Sequence, residues 1–241
     1  MGFFSSLKNK IKKALKKVWR WVKAAVRLIV RIVVTIVGAV LGIFDLLLGF
    51  IGWPPKKMRI HIFILADQNG PLISAAALTP AIEFARKTFK DKFNVKLLPY
   101  SKSFIEIIKE PAPPDALEVP CSFFGSLGRD FGEAGEFFAK HLAGWNAIPI
   151  SLTFPITVFI VSNVIGKGGC SLGPLTDYVT VDVSLDGVGT PSLMAHEIGH
   201  ACNLWHSGTK SNLMHAESDR GDGAKWFQKN LFRSSRHVTY W

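Results

Sequence analysis

Acidic residues are almost missing from the first quarter of this chain. Residues 1–60 hold nine Lys and four Arg against the single Asp45, a net of +12. Residues 61–241 hold sixteen basic and seventeen acidic residues, a net of −1. The formal charge of +11 is therefore local. A nucleic-acid-binding domain would carry its positive charge in the folded part, so no nucleic-acid partner is expected. Cysteine is scarce too: Cys121, Cys170 and Cys202 are the only three. There is no CxxC pair and no later cysteine cluster, which argues against a second, structural zinc site. The odd number leaves at least one thiol unpaired. All three read as small buried hydrophobes, with a Cys170–Cys202 bridge as the alternative in an oxidising compartment. No Ala-x-Ala site follows the apolar run near the N-terminus, so a removed signal peptide fits poorly.

Two readings divide residues 1–57. From Phe4 to Ile29 apolar residues recur at gaps of three and four (Leu7, Ile11, Ala14, Val18, Val22, Ala25), the period of an amphipathic helix. Lys8, Lys12, Lys16, Arg20, Lys23, Arg27 and Arg31 take the other face. A basic amphipathic helix over 1–31 is expected to seek a lipid membrane surface. The alternative is a solvated helix packed on the following domain. Residues 32–53 are apolar for long enough to cross a bilayer of about 30 Å. With ten Lys/Arg before that segment, the charge rule predicts a single-pass membrane protein, N-terminus cytoplasmic and the later domain outside; secretion followed by membrane insertion is the other option. Gly38 and Gly42, with Asp45, suggest self-association within the bilayer, against the reading of ordinary small residues in an apolar run. Residues 54–57 read as a linker, and 58–241 as one domain of medium size.

The chemistry concentrates in His196-Glu197-Ile198-Gly199-His200. At about 100° per residue, positions four apart share one face of a helix, so both imidazoles can reach one metal ion. Glu197 then stands beside it as a candidate general base. His206 follows six residues later, where a straight helix would carry it away. Asn203 lies between them, and Asn tolerates the left-handed backbone that ends helices. A break there predicts three histidines around one Zn2+, with a fourth position open for water.

With Ser211-Asn212-Leu213-Met214 following, the chain resembles the metzincin metallopeptidases, whose signature is HExxHxxGxxH and then a methionine turn. His196, Glu197, His200, His206 and Met214 match it; Asn203 replaces the glycine. The resemblance implies zinc-dependent hydrolysis of a protein or peptide substrate, with Glu197 catalytic and Met214 supporting the site from below. It also implies an antiparallel edge strand above the cleft, assigned to Gly169, Cys170, Ser171 and Leu172, which would pair with extended substrate. Many members add a tyrosine two residues after the methionine; Ala216 stands there instead. The alternative function is a membrane-permeabilising protein in which the zinc domain is an accessory module.

The remaining pattern is α/β (α+β), as a metzincin-like domain requires: a mixed twisted sheet, an active-site helix and a C-terminal helix. Strands are expected at 58–66, 94–100, 156–164 and 178–184, and helices at 79–93, 136–145 and 223–233. Thr190-Pro191 caps the metal helix, with proline at its first position. Trp226, Phe227 and Leu231 are assigned to the core. The proline-rich stretch 110–120 reads as loop. His61, His141 and His237 read as structural or exposed.

Overall fold

The computed structural model describes residues 3–49, 54–122, 125, 128, 130–142, 155–184 and 187–240, with only the helical backbone for 3–7, 38, 39 and 41–49. Its centre is β1 (Lys56–Asp67), a strand apolar enough to be covered on both faces. β3 (Val95–Pro99) and β4 (Ile105–Pro111) run parallel to its first and second halves, and β6 (Ile156–Val161) runs parallel to it as well. β9 (Tyr178–Asp182) continues parallel to β6, and β8 (Gly169–Ser171) closes that edge antiparallel to β9. β2 (Gly70–Pro71) turns back on the end of β1, and β10 (Val238–Thr239) pairs antiparallel with its start. A separate short pair joins β5 (Glu118–Pro120) to β7 (Asn163–Ile165). The protein is mixed α/β with a mixed sheet.

Alternation along the strands builds two cores. Ile60, Ile62 and Ile64 face one way with Val158, Ile160 and Val181, under α2 (Thr79–Phe93) and α5 (Pro191–Ala201). Phe63, Leu65, Phe159, Val161 and Tyr178 face the other way, under α3 (Pro114–Leu117) and α4 (Glu133–His141). Two faces of one pleated sheet cannot share side chains, because successive residues point oppositely. This corrects the cysteine expectation. Cys170 and Cys121 belong to the second core and form a disulfide with Cα atoms 5.5 Å apart. Cys202 lies in the first core, across the sheet from Cys170, and stays a buried free thiol.

The stretch 110–120 is not all loop. β4 runs to Pro111, Pro114 opens α3 at its first position, and β5 ends at Pro120. At a helix start proline forfeits no intrahelical bond. The C-terminal helix is α6 (Trp226–Arg233), and its inward face differs from expectation. Trp226 and Phe227 are exposed, while Phe232 is fully buried against Phe89 and Phe93, at 4.9 and 4.4 Å between ring centroids. The cause is polar. Gln228 is drawn inward by Asn212, whose Nδ2 donates to its Oε1 at 2.8 Å, and Phe232 lies four residues further on the same face.

α1 (Phe3–Gly49) passes residue 31 without a break. Among the described residues no helix is long and apolar enough to cross a membrane, which overturns the single-pass topology. The physical reason is visible at the start of the proposed span. Arg31 is buried against Asp130 (3.1 Å) and Asp177 (3.8 Å), and Thr35 donates to the Pro174 carbonyl at 3.2 Å. These residues are committed to protein contacts, and a lipid span needs about 20 apolar residues free of such charge. The side chains of Gly38, Gly42 and Asp45 lie outside the described residues.

Candidate metal centre

Thr190 occupies the N-cap position of α5 and Pro191 its first turn. Ser192 to Gly199 are all buried, so the helix is held on every side except where His200 meets the cleft. It ends as its sequence demands. Asn203 adopts φ 69°; its N–H donates to the His200 carbonyl at 3.1 Å, and Leu204 N–H to the Gly199 carbonyl at 3.0 Å. This pair of bonds is the Schellman closure of a helix C-terminus. The reversal returns His206 to the helix face it would otherwise leave.

The three imidazoles then converge. His200 Nε2 lies 3.1 Å from His196 Nε2 and 3.1 Å from His206 Nε2. All three donor atoms fall within 4.8 Å of one another. Two nitrogens on one tetrahedral ion at Zn–N distances of about 2.0–2.1 Å sit about 3.3 Å apart, so the spacing fits a single small cation. The other ring nitrogens fix the tautomers. His196 Nδ1 bonds to the Leu213 carbonyl at 2.9 Å and His200 Nδ1 to the Leu204 carbonyl at 2.8 Å. A carbonyl can only accept, so each Nδ1 carries the proton and each Nε2 keeps a lone pair that could take a metal ion. Burial, with the neighbouring His200, pushes His196 down to about 3; burial, partly offset by its carbonyl partner, pushes His200 down to about 4. His206 is lowered less, by burial first and then by the positive charges of Lys167 and Arg220. All three are therefore neutral, the ligating form, at pH 7.

Glu197 lines the same cleft, and its burial raises the carboxyl to about 7 against the opposing charges of Arg220 and Lys167. Above it lies the edge strand. A Cβ on Gly169 would stand 2.9 Å from Glu197 Cγ, so only glycine lets β8 approach this closely. Gly169, Ser171 and Leu172 line the cleft, while Cys170 turns through the sheet to its disulfide. Below the helix, Met214 is fully buried, and a Cβ on Gly199 would meet its Sδ at 2.6 Å. Met214 thus packs directly under the turn of helix between the two ligands. Its backbone N–H is held by Asn212 Oδ1 at 2.9 Å, and Ser207 N–H donates to the Met214 carbonyl at 2.8 Å. The same segment that buries Met214 also orients His196 through Leu213.

Three cleft residues had no signal in the sequence pattern. Arg220 forms a wall by bonding the chain it follows, its Nε to the His215 carbonyl at 2.9 Å and its Nη2 to the Ala216 carbonyl at 3.0 Å. Lys167 faces it from the rim before β8, and Trp205 lines the mouth with 82% of its surface exposed. All three sit on irregular backbone, where neither helical nor strand periodicity gives a side chain a direction. The isolated histidines stay structural: His61 stacks on Phe63 at 4.2 Å, and His141 bonds to Glu110 at 3.1 Å.

Fold and site together define a class: a mixed α/β protein with a three-histidine centre able to hold a metal ion. No protein-family model matches the chain, and no curated protein sequence matches it.

Proposed function

We propose that the protein is a zinc-dependent endopeptidase of metzincin type. The observation that carries the reading is the convergence of three Nε2 atoms, two with tautomers fixed by backbone carbonyls, beside a buried carboxyl and under an open edge strand. Three imidazoles with a position left over suit catalytic zinc better than structural zinc, which closes its fourth site with protein. Held by His196, His200 and His206, the ion would supply Lewis acidity toward a carbonyl and acidify a water toward pKa about 7.

The chain's own groups do the rest. Glu197 takes the proton of the attacking water on a carboxylate oxygen and returns it to the leaving amine nitrogen. Its raised pKa, near the pH of the reaction, suits both transfers. The substrate backbone lies extended along β8, whose outer edge has no strand partner among the described residues, and hydrogen-bonds there in a sequence-tolerant way. Arg220 and Lys167 lend positive potential where negative charge develops on the carbonyl oxygen, the role that a tyrosine at Ala216 would otherwise fill.

Glu197→Ala should keep the bound zinc and lose about 10²–10⁴-fold in cleavage rate, read with an unfolded protein substrate and metal analysis on one preparation. His206→Ala should lower the zinc content itself. Full proteolysis by the first variant, or unchanged stoichiometry in the second, would remove those residues from their roles.

A further inference from the structure

From Arg20 onward the face that α1 turns to solvent is the apolar one, and residues 8–19 are exposed all round. The helix docks through Arg20, Ala24 and Arg31: Arg20 pairs with Glu133 (3.3 Å) and Glu136 (3.2 Å), Ala24 is buried, and Arg31 reaches Asp130 and Asp177. At about 100° per residue, the stripe Ile11, Leu15, Val18, Val22, Val26 and Ile29 lies on the opposite side. Each of these is 45–64% exposed, and the same register carries on to Val40. An amphipathic surface helix ordinarily buries this stripe against its own domain. Here the domain offers carboxylates instead, so the arginines are taken inward and, among the described residues, the aliphatic side has no partner along about 43 Å of helix.

We infer that this outward face of α1 seats the protein on an anionic lipid surface, with the helix lying in the plane of the interface. Charge selects this occupant over two others. At the same step Lys12 and Lys23 border one margin of the stripe and Lys10 the other, with Lys16 and Lys17 further round the helix; all five are exposed, and no acidic residue precedes Asp45. A second copy of α1 packed on the stripe would bring like-charged lysine rows together, which is destabilising. Nucleic acid would meet a stripe that is aliphatic along its length, with no base-edge donors in it. A bilayer with anionic headgroups takes both features, because the stripe enters the acyl boundary while the lysine stems extend upward to the phosphates. Exposed Trp19 at the edge of the stripe sits at the depth where indole rings collect. In-plane seating asks for no membrane crossing. Thr35 ties the helix to the cleft as well, donating to the carbonyl of Pro174, which lines it.

The test is co-sedimentation of the full chain with vesicles of phosphatidylcholine alone and of phosphatidylcholine with one quarter phosphatidylglycerol. We expect binding at least tenfold tighter to the anionic vesicles, weakened by salt. A Val22→Glu/Val26→Glu double variant should lose at least tenfold of that binding while keeping its circular dichroism and zinc content, because both side chains lie on the outward face, 45% and 53% exposed. Equal binding by the variant, or no binding by the parent chain, would overturn the inference. So would a two-chain mass for the parent that the variant reduces to one. Release of trapped dye at concentrations that merely saturate binding would also overturn it, because an in-plane helix leaves the bilayer sealed.

Discussion

Asn203 is the residue on which the centre turns. At φ 69° it occupies a region that costs an ordinary L-residue about 1–2 kcal/mol and a β-branched residue more. Asn203→Gly should therefore leave stability and zinc affinity nearly unchanged. Asn203→Val should lower stability by about 2 kcal/mol and weaken zinc in chelator competition, because relief of the strain would swing His206 off the ion. Titration makes a second prediction at this scale, for chelator-stripped protein. The folded pKa values of His196 (about 3) and His200 (about 4) lie below their ordinary 6.5, so the unfolded chain binds those protons first. Stability contributed by the neutral imidazoles is lost as pH falls below about 6.5. Glu197 acts in the opposite sense. Its folded pKa near 7 lies above the ordinary 4.5, so protonation stabilises the folded state as pH falls through that window. Replacing it by Gln removes the offset. Urea unfolding of Glu197→Gln should thus lose stability more steeply than the parent between pH 6.5 and 4.5, by about 1.4 kcal/mol per pH unit. Parallel curves would mean that the carboxyl is already ionised in the folded state. These residues were legible in sequence because their roles follow from spacing on one helix and from the backbone habit of Asn. Asn94 (φ 55°) repeats the device at the end of α2.

At the scale of the element, β8 is three residues long, lies at the sheet's edge and closes over the candidate centre. Its glycine lies over Glu197, and its cysteine is tied to Cys121 across 49 residues of chain. Closing a loop of that length stabilises by up to about 4 kcal/mol in the chain-entropy account. Cys121→Ser should lower unfolding free energy by 2–4 kcal/mol and raise hydrogen exchange selectively at Gly169–Ser171, with zinc still bound. Uniformly faster exchange would show that the bridge holds the whole sheet and not its rim. The pairing itself was invisible in the sequence. Cysteine spacing says nothing about which face of a sheet each thiol takes, and here Cys202 is on the far side, its thiol pushed up to about 12 by burial. β4 and the true inward face of α6 escaped for a related reason. The 110–120 prolines looked like breakers until their places at element ends were known. Phe227 looked like core until Gln228 was found to have a buried partner in Asn212.

At the scale of the whole molecule, the helix and the domain are joined by charge. Arg31 enters a buried group in which Asp130 also accepts from the Tyr178 hydroxyl at 2.6 Å and Asp177 is paired with Arg236. Removing one member of such a group leaves uncompensated charge, at about 3–5 kcal/mol. Arg31→Ala should fall near the lower end because Arg236 still neutralises Asp177. Trypsin should then cut α1 between Lys12 and Lys23 well before it touches the α/β domain. Unchanged protection would show that Arg20 and Ala24 suffice to hold the helix. By itself the sequence determined the helix of His196 and His200, its end at Asn203, the methionine beneath it and the amphipathic period of α1, because each depends on residues within a few turns of one another. Only the tertiary structure decided which side of α1 is buried, which cysteines pair and that Arg220 and Lys167 face Glu197. Those outcomes depend on partners far apart in the chain, 49 residues for the disulfide and 99 and 113 for Arg31–Asp130 and Arg20–Glu133, or on irregular backbone that no local periodicity describes.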